Sequence, residues 1–151
     1  MRPSWSRAFV ALALVLLVSV ACRTKRPPLV YRLDSETRGW VAIVFNRPEA
    51  PPLPEQGGAF FIDVPKSGVV STSAKSPVGY ARDAFLVRYP DGREVPLSID
   101  AIRANHVGHS TWEDGKTIEY EVFFVGTRAE LDAAETQDDM LTRVRATLPL
   151  R

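Results

Sequence analysis

This 151-residue sequence predicts a mainly β domain: an antiparallel β-sandwich of about seven short strands with a C-terminal α-helical tail. Three observations carry that prediction. Short apolar or alternating runs recur from residue 29 onward. Turn signals rich in proline and glycine separate them at intervals of about 8–12 residues. A helical pattern takes over only past Gly126.

Residues 30–33 alternate, with Tyr31 and Leu33 on one face. Residues 40–45 are apolar on both faces, the pattern of a strand covered on two sides. Four prolines and Gly57-Gly58 make residues 47–58 a loop of polyproline-like stiffness. Residues 59–64 follow as a strand, with Phe60, Ile62 and Val64 on one face and Asp63 on the other. Pro65-Lys66-Ser67-Gly68 reads as a turn into residues 69–72. A second irregular loop, 73–83, precedes the alternating run 85–89. Pro90-Asp91-Gly92 is a hairpin signal, and Pro96 places the return strand 94–99 at a sheet edge.

Residues 107–112 and 117–125 flank Glu113-Asp114-Gly115-Lys116 as another hairpin. In the later strand Ile118, Tyr120, Val122 and Phe124 oppose Glu119 and Glu121, so the acidic face is expected to be wet. Thr127 and Glu130 have capping-box spacing, and Thr136 and Asp139 repeat it. Met140, Leu141, Val144 and Leu148 then form the apolar stripe of a terminal helix.

Composition narrows the function classes. A formal net charge of +1 leaves no basic footprint for nucleic acid. A single cysteine makes neither an internal disulfide nor a Cys-based zinc site. At 45% hydrophobic residues the chain can build its own core.

The first 21 residues read as an address. Arg2 and Arg7 precede a 14-residue uncharged run, 8–21, too short to span a bilayer, which needs about 20 apolar residues. Ser19-Val20-Ala21-Cys22 resembles a bacterial lipobox, with Ser19 where leucine is usual; Cys22 then becomes the lipidated first residue. Acylation also removes the one thiol from an oxidising envelope. Residues 1–21 are thus a lipoprotein signal peptide, 22–28 the lipidated cysteine with a basic, proline-ended tether, and 29–151 a single domain. Arg23 stands where an aspartate would favour inner-membrane retention, which leans the protein toward the outer membrane. Removing 1–21 loses two arginines and no acid, so the charge falls from +1 to −1; three more basic residues in the tether leave the domain at −4.

Gly39-Trp40-Val41, Pro51-Pro52-Leu53-Pro54 with Gly57-Gly58, Asp63-Val64-Pro65, Ser67-Gly68 and Phe124-Val125-Gly126-Thr127 occur in that order. Together they resemble an uncharacterised bacterial domain family found behind lipoprotein signals, over about residues 31–135. The resemblance implies an anchored protein and brings no catalytic or ligand residues.

Candidate chemistry is sparse. His106 and His109 lie three apart, with Glu113 or Asp114 available as oxygen ligands. On a strand, however, that spacing points them to opposite faces, so exposed imidazoles are the preferred reading. Lys66, Lys75 and the hydroxyls of Ser67, Ser71, Thr72, Ser73 and Ser76 raise a serine–lysine hydrolase, but no nucleophile elbow accompanies them. Asp63 is the carboxylate to watch. Trp40, in the densest apolar run, reads as core.

What remains is a binding surface. Stiff proline loops lose little entropy on docking, and aromatic residues dominate contact energetics. The expected surface comprises Pro51, Pro52, Pro54, Gly57, Gly58 and Tyr80, carried by loops 47–58 and 73–83. The sequence therefore predicts a lipid-anchored, non-enzymatic module of the bacterial envelope. It would meet the membrane through acyl chains on Cys22, bind a protein or ligand, and need no cofactor, metal or nucleic acid. A small envelope hydrolase with a loop-assembled site is the alternative.

Overall fold

The fold is organised around Tyr31, which stacks on Phe85 at 4.6 Å and meets Phe123 edge-on at 5.5 Å. The computed structural model describes residues 25–111 and 117–147; the predicted signal peptide and Cys22 lie outside them. Lys25 and Arg26 form a small unit with Pro77–Ala81, and the rest of the described chain forms a second unit, which holds the sheets.

One sheet contains β1 (Leu29–Asp34), β3 (Glu55–Gln56), β4 (Ala59–Val64), β6 (Ala84–Arg88) and β7 (Glu94–Pro96), in the order β3-β4-β1-β6-β7. The other contains β2 (Gly39–Phe45), β5 (Val69–Ser71), β8 (Ile102–Thr111) and β9 (Thr117–Val125), in the order β5-β2-β9-β8. A 3₁₀ turn, Ile99–Ala101, joins β7 to β8, and the helices α1 (Arg128–Ala133) and α2 (Gln137–Thr147) follow β9.

The sheets are mixed, not antiparallel as expected. Strand β1 is parallel to both β4 and β6, and β2 is parallel to β5. The cause is the chain's path. After β1 it crosses to the other sheet for β2, returns for β3 and β4, crosses again for β5, and returns for β6. A strand re-entering a sheet after such an excursion can run alongside its predecessor, which a tight hairpin forbids. Among the described residues, local hairpin pairings survive as β3–β4, β6–β7 and β8–β9.

Strand β2 is buried on both faces, as its unbroken apolar run predicts. Val41, Ile43 and Phe45 join a core cluster with Leu29, Tyr31, Leu33, Ile62, Val64, Phe85, Phe123 and Val125, so one cluster draws on both sheets. Ala42 and Val44 face the other way and pack with Ile118, Tyr120 and Val122 against Met140, Leu141 and Val144 of α2. That is the predicted helical stripe; Leu148 lies outside the described residues. Both predicted caps form: Thr127 and Glu130 make a reciprocal capping box, and Thr136 Oγ1 accepts from Asp139 N–H at 3.2 Å.

Strand β9 departs from its reading. With α2 over the Ile118 face, the face carrying Glu121 is turned inward, and Glu121 is only 6% exposed. Its carboxylate accepts a 2.6 Å hydrogen bond from the Tyr31 hydroxyl. Such charge-assisted bonds contribute about 1.5–3 kcal/mol, which offsets part of the cost of burying the carboxylate. The alternation of charge with apolar residues resembled a wet face but marks an internal polar contact. Two ranges also shift. The return strand ends at Pro96, and β8 begins at Ile102, five residues before its predicted start, behind a bulge where Ala104 adopts φ 49°.

Candidate functional site

The proline-rich loop is exposed at Pro51, Pro52, Pro54, Gly57 and Gly58. Its local geometry follows from its residues. Gly57 and Gly58 have φ of 59° and 75°, the paired positive values of a tight hairpin turn, and they join β3 to β4. The base of the loop is sewn to its neighbour. Pro51 C=O accepts from the Thr72 hydroxyl at 2.8 Å and from Ser73 N–H at 3.1 Å. Thr72 is buried, its carbonyl accepts from Arg47 N–H at 2.9 Å, and Asn46 N–H donates to Ala74 C=O at 2.7 Å. The predicted loops 47–58 and 73–83 are thus hydrogen-bonded to one another near their bases, through Thr72 at the end of the predicted strand 69–72. Tyr80 lies in the small unit with Lys25 and Arg26 and is 59% exposed.

The other candidates resolve individually. His106 and His109 are both exposed on β8, opposite Val122 and Glu119 of β9 and three residues apart along the strand. Glu113 and Asp114 lie outside the described residues, and among the described residues no three His, Cys, Asp or Glu side chains gather to hold a metal. Lys66 is ion-paired with Glu36, whose hydrogen bond and charge raise the ammonium pKa. A base held against a serine hydroxyl requires the opposite shift. Asp63 is exposed and paired with Arg88 at 2.7 Å. Trp40 is half-buried, edge-on to Phe124 at 5.5 Å, with its indole N–H on Glu135 C=O at 2.8 Å.

A further feature, at the opposite end of β2, was not among the predicted sites. A cleft of about 580 Å³ opens where β1 and β6 end and β8 begins. Leu33, Val87, Leu97 and Val125 give it an apolar lining, and Arg38, Arg103, Asp100 and Glu130 give it a charged one. Its polar groups are held in place. Arg103 Nε donates to Gly126 C=O at 3.1 Å, and an Arg38 guanidinium N–H donates to Thr37 C=O at 2.8 Å. Thr127 N–H donates to Glu130 Oε2 at 2.6 Å. That amide first, the Thr127 side chain next, and the Arg38 charge in smaller measure hold the Glu130 carboxyl below the usual range, so it is anionic at neutral pH.

Sequence reasoning saw the parts of this cleft without seeing the cleft. The Phe124–Thr127 motif and the capping box read as the end of a strand and the start of a helix. The pairing of β8 with β9, continued by Gly126 N–H on Ala101 C=O at 3.0 Å, brings them beside the 3₁₀ turn. A volume in the range of ligand pockets, apolar within and polar at fixed points, is suited to binding a small molecule with an apolar body and a charged end.

A family model described as a family of unknown function (DUF6843) matches residues 29–134. Among solved structures, the chain is similar to the crystal structure of a candidate lipoprotein from Bacillus anthracis. The identity is 16% and the TM-score 0.66, covering 84% of this chain and 100% of that one. At this identity the likeness is one of fold. No curated protein matches the chain.

Proposed function

The chain belongs to this family of unknown function, and from that premise we propose a lipid-anchored envelope lipoprotein whose folded body binds a ligand without catalysing a reaction. The anchor is supported by the basic and apolar leader, by Cys22 at its end, and by a structural neighbour that is itself a candidate lipoprotein. Among the described residues no helix is long and apolar enough to cross a membrane. Arg23 in place of an aspartate favours the outer membrane. The two sheets act as the layers of a sandwich that holds the cleft open at one end.

The cleft is the observation that carries the binding assignment. Arg38 and Arg103 supply directed donors to an anionic or carbonyl group, while Leu33, Val87, Leu97 and Val125 take an apolar body. Native mass spectrometry of protein extracted in mild detergent tests this. A small-molecule adduct at one to one is expected, lost in Ala101→Phe and weakened in Arg103→Ala. An adduct kept by both variants, or none from the lipidated protein, overturns the cleft as the site.

A second reading, docking of an envelope protein on the proline loop, is favoured by the stitching of Pro51 to Thr72 and Ser73. A surface already ordered before contact loses little entropy on binding.

A further inference from the structure

The small unit of Lys25, Arg26 and Pro77–Ala81 combines three properties that the body's cleft and loop do not use. It is exposed and apolar: Val78 is 86% and Tyr80 59% exposed. It is tied to the tether, since Lys25 and Tyr80 form a parallel bridge and Arg26 N–H donates to Tyr80 C=O at 3.3 Å. It is also basic in sequence. Residues 22–28 carry Arg23, Lys25 and Arg26 and no acid, and Lys75 and Arg82 flank the exposed segment with no acid between them, in a domain whose charge is otherwise negative.

Chain length adds the decisive constraint. Lys25 stands three residues after Cys22, so their Cα atoms are at most about 11 Å apart in the most extended backbone. With acyl chains on Cys22, the bridge to Lys25 keeps Tyr80 and its neighbour Val78 within reach of the headgroup layer, which is about 5–8 Å deep on each side of the hydrocarbon. Tyrosine favours that layer, valine favours its inner edge, and lysine and arginine favour anionic headgroups.

We propose that Lys25, Arg26, Val78 and Tyr80 form an interfacial contact that seats this segment in an anionic lipid surface, so that the protein meets the membrane with folded chain as well as with its acyl chains. The inference rests on lipidation of Cys22. It assigns the exposed apolar residues of the 73–83 loop to lipid rather than to a protein partner.

The full mature protein supplies its own test, because Cys22 is its one cysteine and acylation blocks that thiol. A nitroxide on Val78→Cys is therefore the single label in protein reconstituted in phosphatidylethanolamine–phosphatidylglycerol vesicles. The label is expected to collide with dissolved oxygen several-fold more often than with a water-soluble nickel chelate, and Lys25→Glu is expected to shift it toward water. A water-exposed label on protein whose N-terminal peptide carries acyl chains overturns the interfacial contact and leaves the lipoprotein reading standing. An N-terminal peptide without acyl chains overturns both.

Discussion

Where β1 and β6 end, backbone turns and a capping box hold charged side chains around an open cleft; where they begin, a proline loop is stitched to a buried threonine. Both ends are ordered, by different means. At the cleft end, order comes from backbone shape: the turn at Pro65–Gly68, the 3₁₀ turn and the first turn of α1. At the loop end it comes from the Thr72 hydroxyl, which donates to Pro51 C=O and accepts from Ala74 N–H, and from the backbone bonds around it. An end built from backbone turns keeps its side chains available for a ligand. An end built by stitching backbone to a hydroxyl presents mainly main chain and proline rings.

Substitutions at the two ends test that contrast, and the cleft end should suffer most. Gly68 adopts φ 73°, and a Cβ there would lie 2.6 Å from Trp40 C=O. Gly68→Ala is expected to cost about 2–4 kcal/mol in urea unfolding, from left-handed strain plus the clash. At the loop end, Thr72→Val removes one of the two donors to Pro51 C=O, the Ser73 N–H remaining, and takes the hydroxyl acceptor from Ala74 N–H. The expected loss is about 1–3 kcal/mol, with faster amide exchange at Ser73 and Ala74 but not at Gly126. If this variant proves the more damaging, the contrast is reversed.

Thr127→Ala removes the cap beside the cleft and is expected to cost about 1 kcal/mol. It also carries a pH signature. The Glu130 pKa is lowered in the folded state, so its contribution is present above the ordinary carboxylate value and is lost as pH falls through the folded value. In Thr127→Ala the Glu130 carboxyl should titrate closer to its ordinary value, as read by NMR of its side chain. Pro52→Gly should be the mildest change, about 0.4–1 kcal/mol, since the residue is exposed and the effect lies in the unfolded chain. A larger loss there would mean that the loop tip carries structure of its own.

Much of this architecture was legible where a residue acts on its near neighbours. The doubly buried run of β2, both helix caps and the Pro90-Asp91-Gly92 hairpin were visible because each is decided within a few residues. The parallel pairing was not, because identical alternating runs fit either direction and the choice lies in where the chain goes between strands. Glu121 was misplaced because its partner, Tyr31, is 90 residues away. The cleft was missed for the same reason, since its wall joins Leu33, Ala101 and Val125 from three separate stretches. The exposed loop was found because exposure of proline and glycine needs no partner.

The parallel neighbours of β1 have a consequence in time. Leu29 pairs with Phe60, and Val30 with Ala84, so the central strand of its sheet can close no ladder with the next segment of chain. Long loops must be closed before either pairing is rewarded, and topologies of this kind fold on the order of milliseconds to seconds. As the chain emerges N-terminus first, β1 waits unpaired for β4 and then for β6, while β6–β7 and β8–β9 can form as local hairpins. The arrival of β4, and then of β6, thus sets the moment at which the first strand finds its place.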